Sequence, residues 1–108
     1  MAIVGRFIAL VDKDISPGLA KTVADVSSHV VTPGLVDIHA HFFGIKGRML
    51  PDAHWLPQGT TTGVDAGGYG HRTFDELDDT IITQSLMNIF ALINNIGKGM
   101  IAKPKHAN

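Results

Sequence analysis

The chain has 108 residues, 44% of them hydrophobic, with a formal net charge of -1 and no cysteine. A chain of this length can bury roughly two-thirds of its unfolded surface in one core. The near-zero charge gives no electrostatic footprint for nucleic acid or a membrane surface. The missing thiols exclude disulfides and thiolate metal sites, so any metal must be held by His, Asp, Glu or a modified Lys. No apolar run reaches the ~18 residues of a membrane span. The apolar N-terminus is interrupted by Arg6 and lacks a small-x-small cleavage site, so it does not read as a signal peptide. A cytoplasmic setting is expected.

In chain order, Ala2 to Val11 reads as strand broken at Gly5 and Arg6, and Ser16-Pro17-Gly18 punctuates the turn after it. Thr22 to Val26 and Val30 to Thr32 are further short strand candidates. Leu35 to His41 reads as a strand with Leu35, Asp37, His39 and His41 on one face and Val36, Ile38 and Ala40 on the other. Residues 42–58, with Gly44, Gly47, Pro51 and Pro57, read mostly as loop. A short helix over Asp52 to Leu56 is expected there, stopped by Gly59. Thr60 to Ala66 is a buried strand candidate closed by Gly67-Gly68-Tyr69-Gly70. Thr73 with Glu76 three residues on predicts a capping box. Phe74, Leu77, Ile81, Ile82 and Leu86 give the apolar stripe of the helix that follows. Met87 to Ile93 is a second buried strand, so residues 60–93 form a β-α-β unit with parallel strands. The polar tail from Lys98 to Asn108 is expected to fray.

Chemistry concentrates in Asp37-Ile38-His39-Ala40-His41. Imidazoles at i and i+2 on a strand project the same way and can reach one divalent ion, to which neutral imidazole is well suited. Asp37 is placed to orient a neighbouring group. Spacing alone leaves this open, because two such histidines also occur on ordinary surfaces.

The stretch Val31-Thr32-Pro33-Gly34-Leu35-Val36-Asp37-Ile38-His39-Ala40-His41 resembles the opening signature of the amidohydrolase superfamily. Gly59-Thr60-Thr61-Thr62-Gly63-Val64-Asp65-Ala66-Gly67-Gly68, with Thr73-Phe74-Asp75 beyond it, is similar to the dihydroorotase-like deacetylase branch. The resemblance spans the chain from about Gly5 to Gly99. It implies an α/β fold: the first three strands of a (β/α)8 barrel over 34–108, preceded over 1–33 by a small β segment of a composite β-sandwich-like domain. It also implies metal-dependent hydrolysis of an amide or ester bond in a small acylated or cyclic amide substrate, with one or two divalent metals, usually zinc. His39 and His41 are the metal ligands that carry over. The other family ligands are a carboxylated lysine or glutamate, two histidines, and an aspartate that commonly shuttles the proton. None has a matching position, since a barrel of this type needs about 250 residues. The chain is therefore expected to be the N-terminal part of a longer enzyme, inactive by itself and prone to homo-oligomerise through open strand edges.

Other residues carry competing readings. Tyr69 and His71, placed after the second barrel strand, are candidates for a substrate-facing loop; a solvated loop histidine is the plainer reading of His71. Asp65 is either a carboxylate at the edge of the site or a turn cap. His54 and Trp55 read as packing or surface residues, and His29 and His106 as surface residues. The acids Asp75, Glu76, Asp78 and Asp79 complement a helix N-terminus and are not a metal cluster. Gly67-Gly68-Tyr69-Gly70 lacks the lysine and spacing of a phosphate loop. The alternative to a hydrolase is a small non-catalytic α/β module or assembly partner, which would melt cooperatively as a monodisperse species without metal.

Overall fold

A computed structural model describes residues 1–42 and 49–100 of the chain. Gly44, Gly47, Pro104 and His106 lie outside the described residues. Two compact units emerge, Met1–Thr32 and Pro33–Asn108.

The first unit is a hairpin with an irregular continuation. Strands β1 (Ala2–Val4) and β2 (Phe7–Leu10) pair antiparallel, Val4 opposite Phe7 and Ala2 opposite Leu10. Gly5, at φ 60, makes the tight turn that a side chain would resist. Beyond the hairpin, Pro17–Leu19 forms a single 3-10 turn. The expected strands over Thr22 to Val26 and Val30 to Thr32 do not form. Val23 and Val30 are 64% and 90% exposed, so their β-branched side chains have no sheet to pack on.

The second unit is a small mixed α/β domain. Strands β3 (Leu35–Ala40), β4 (Thr60–Gly70) and β5 (Asn88–Asn94) form a three-stranded parallel sheet in that order. Two short helices cross between strands: α1 (Pro51–His54) and α2 (Phe74–Leu77). Pro51 starts α1, where its missing N–H costs nothing. A 3-10 turn over Leu56–Gln58 follows and stops at Gly59, at φ 88. The helix α2 continues as a wider π turn, Asp78–Ile82.

Leu77 and Ile81 of this helical run pack with Ala40, Phe42, Tyr69, Met87 and Ile89, while Phe74, Ile82, Trp55 and Leu56 close the margin. Phe42 lies over Gly63 so closely that any side chain at position 63 would collide with its ring. The predicted stripe is thus correct to Ile82 and fails at Leu86, which is 84% exposed. The helix has ended by then, because Asp52 of α1 accepts the Leu86 N–H at 2.9 Å and the Ser85 hydroxyl, turning the chain into β5.

Two local expectations are corrected. Thr73 does begin α2, but its hydroxyl makes no cap to the helix. It bonds instead to Gly70, accepting the N–H at 3.1 Å and donating to the carbonyl at 3.2 Å, so the capping box does not form. Strand β4 also runs four residues beyond Ala66, because Gly70 pairs with Asn94 and the Asn94 amide donates to the Gly67 carbonyl at 2.9 Å.

The sheet faces are unequal. Gly63, Asp65 and Ile89 face the helices, with Asp65 and Ile89 buried in the interior. Val36, Phe90 and Leu92 share the opposite face by register, and each is 61% exposed.

Candidate functional site

The histidine pair sits at the C-terminal end of β3. That strand is not regular there: Asp37 lies opposite Gly63 and Ala40 opposite Asp65, three steps on β3 for two on β4. A bulge of this kind breaks the alternation of side chains and bends the strand. The strict face shared by Asp37, His39 and His41 is therefore interrupted, and Ala40 joins the core at 5% exposure. The imidazoles still meet. The rings of His39 and His41 stand edge to face, with centroids 5.4 Å apart. His39 is exposed and His41 half-buried.

Asp37 supports the bulge. Its carboxylate accepts the backbone N–H of His39 at 3.0 Å and the indole N–H of Trp55 at 2.9 Å. These two bonds, the backbone one first, hold the carboxyl below its ordinary value of 3.8 against a smaller opposing effect of desolvation. Trp55 packs edge to face on Phe42 with centroids 4.9 Å apart. The tryptophan read as a packing residue therefore also ties Asp37 to the core.

Asp65 is fully buried and is a turn cap. One oxygen accepts the Phe42 N–H at 2.8 Å and the other the Gly68 N–H at 2.6 Å. This link between the end of β3 and the end of β4 is the feature that sequence reasoning left undecided. The signal was present: an aspartate between Val64 and Ala66 in a buried strand must find donors, and the following Gly67-Gly68 leaves room for a backbone N–H to approach.

Tyr69 and His71 part company. Tyr69 belongs to β4 and to the core, at 2% exposure. His71 is exposed in the turn after β4, where the Arg72 N–H donates to Gly97 at 2.8 Å. His54 places its ring nitrogen 3.0 Å from the Leu50 carbonyl. His29 is exposed beside Ser28.

The pair fits a divalent ion in spacing. Two imidazole nitrogens on one tetrahedral zinc, at bond lengths of about 2.0–2.1 Å, place the ring centroids about 5 Å apart. Among the described residues no group of three or more His, Cys, Asp or Glu side chains can hold a metal ion. No helix among the described residues is long and apolar enough to cross a membrane. No protein-family model matches the chain, and comparison with curated proteins finds no match.

Proposed function

We propose that this chain contributes the first two metal ligands, His39 and His41, of an amidohydrolase-type, metal-dependent hydrolase acting on an amide or ester bond of a small acylated or cyclic amide substrate. The observation that carries the reading is the contact of the two imidazoles at the C-terminal end of a parallel strand, at a spacing that one ion can bridge. In this reading the three strands are the start of a (β/α)8 barrel. The exposed Val36, Phe90 and Leu92 support it, because parallel sheets are normally covered on both faces and their βα units close readily into barrels.

A bound divalent ion, zinc in this proposal, supplies Lewis-acid polarisation of the scissile carbonyl and acidification of water. The chain's own contribution is to hold two neutral imidazoles together, with Asp37 steadying the backbone of His39. The remaining ligands and the proton-transferring group come from outside the described residues. His71, exposed beyond β4, is available to a substrate at the strand ends.

The test is metal content and hydrolysis of amide and ester substrates by the purified chain, with and without added zinc. One equivalent of zinc, lost on His39→Ala or His41→Ala, supports the ligand assignment. Zinc that stays bound in both variants refutes it. Cooperative melting of a monodisperse, metal-indifferent chain favours the non-catalytic module instead.

A further inference from the structure

Each histidine of the pair is joined to a peptide group whose N–H ends on a carboxylate. The His39 N–H donates to Asp37 at 3.0 Å. The peptide following His41 carries the Phe42 N–H, which donates to Asp65 at 2.8 Å. The two carboxylates are anchored differently. Asp37 is half-buried and held by the Trp55 indole at 2.9 Å. Asp65 is fully buried, and its other oxygen accepts the Gly68 N–H at 2.6 Å. The anchors are themselves connected, since Phe42 is fully buried against Gly63 and packs on Trp55.

The geometry points to Asp65 as a positioning residue for the histidine pair: by holding the Phe42 N–H while Asp37 holds the His39 N–H, it closes the segment from His39 to Phe42 between two fixed points, and so restrains the backbone torsions that set how the two rings face each other. The inference rests on the proposed function only for the identity of what the pair binds. A buried carboxylate satisfied by two backbone N–H groups from different strand ends has no need of a charged partner. It is also intolerant of crowding, because a Cβ at Gly68 would lie 2.8 Å from both of its oxygens. A segment held only at its His39 end is free to change the torsions that lie between the two histidine side chains, from the Cα–C bond of His39 to the N–Cα bond of His41, and the Phe42 bond removes that freedom by holding the other end. An imidazole pair with that freedom restored spends part of its time apart and binds an ion more weakly.

The experiment uses the full chain, with zinc as the probe, in wild type, Asp65→Asn, Gly68→Ala and the control Asp52→Asn. Asp52 also accepts backbone and hydroxyl bonds, but at the start of β5, so its loss is structural only. Supporting residues around metal ligands typically matter about tenfold or more in affinity. The expected result is a zinc affinity at least about tenfold weaker in Asp65→Asn and Gly68→Ala and unchanged in Asp52→Asn. In the metal-free chain, the ring-to-ring nuclear Overhauser contact between His39 and His41 should weaken in the first two variants alone. A folded Asp65→Asn with wild-type zinc affinity and an intact ring contact overturns the inference. Should Asp65→Asn fail to fold, Gly68→Ala keeps the carboxylate present but displaced, and the same readouts decide. Free hydrogen exchange of the Phe42 amide in the wild type would also overturn it. Wild-type chain that keeps the ring contact and the protected Phe42 amide, yet holds added zinc at residues other than the pair, refutes the proposed function while sustaining the role of Asp65.

Discussion

The hairpin unit and the sheet unit are built from similarly apolar residues and reach opposite outcomes. No residue of Met1–Thr32 is buried: Ile3, Val4 and Phe7 are 60%, 67% and 69% exposed. In the unit that begins at Pro33, Phe42, Leu77 and Ile81 are at or within 1% of complete burial. Two strands joined by a tight turn have one partner each and no second layer within their own unit, so that unit builds no core of its own. Three strands crossed by helices have that second layer, and the core forms between the sheet and the helical run after β4. Hydrophobic composition alone therefore does not make a core; a facing layer does.

The comparison can be broken most directly by deleting one apolar side chain from each unit. Leu77→Ala should cost about 2–5 kcal/mol, as for other large-to-small changes at fully buried sites. Phe7→Ala should cost within about 0.5 kcal/mol, the usual range for exposed positions. Chemical denaturation followed by circular dichroism checks both, and equal losses would show that the hairpin contributes to the stability of the chain as much as the core does.

A smaller effect sharpens the account of how the sheet unit packs. Gly63→Val forces a branched side chain into the ring of Phe42 and should cost about 1–3 kcal/mol by overpacking. The Trp55 fluorescence should change with it, since Trp55 rests on the displaced Phe42. An unchanged melt and emission would mean that Phe42 does not occupy the place above Gly63.

The smallest expected effect concerns Asp37. Its carboxyl titrates lower in the folded chain than in the unfolded one. Its bonds therefore stabilise the fold above about pH 4, and their contribution is lost as the pH falls through the folded value. Trp55→Phe removes one donor, worth about 1 kcal/mol or less for a bond at a partly exposed carboxylate. The Asp37 carboxyl should then titrate closer to its ordinary value, while the bond from His39 keeps part of the depression. Following the Asp37 carboxyl carbon by NMR against pH checks this; an unmoved titration would show that the indole does not reach Asp37.

Local pattern carried much of the architecture into the sequence. The strand around Leu35, the stop at Gly59, the β-α-β arrangement of residues 60–93 and the buried stripe through Ile82 all follow from periodicity and turn chemistry. The failures have different physical causes, each a matter of which partner is or is not at hand. Thr73 has the spacing of a capping box, but the backbone of Gly70 is a nearer partner for its hydroxyl. Leu86 continues the helical stripe in sequence, but Asp52 draws its N–H out of the helix. Thr22 to Val26 has strand propensity, but no strand pairs with it.

The candidate site divides in the same way. The contact of the His39 and His41 rings was legible from one strand, because residues two apart along a strand stay close. The bulge between Asp37 and Ala40 and the burial of Tyr69 were not, and Asp65 stood undecided between a turn cap and a carboxylate at the edge of the site. Each depends on which residue of β4 stands opposite β3 and on what packs above Gly63. Register and packing are properties of strands brought together, so the tertiary structure alone decided them.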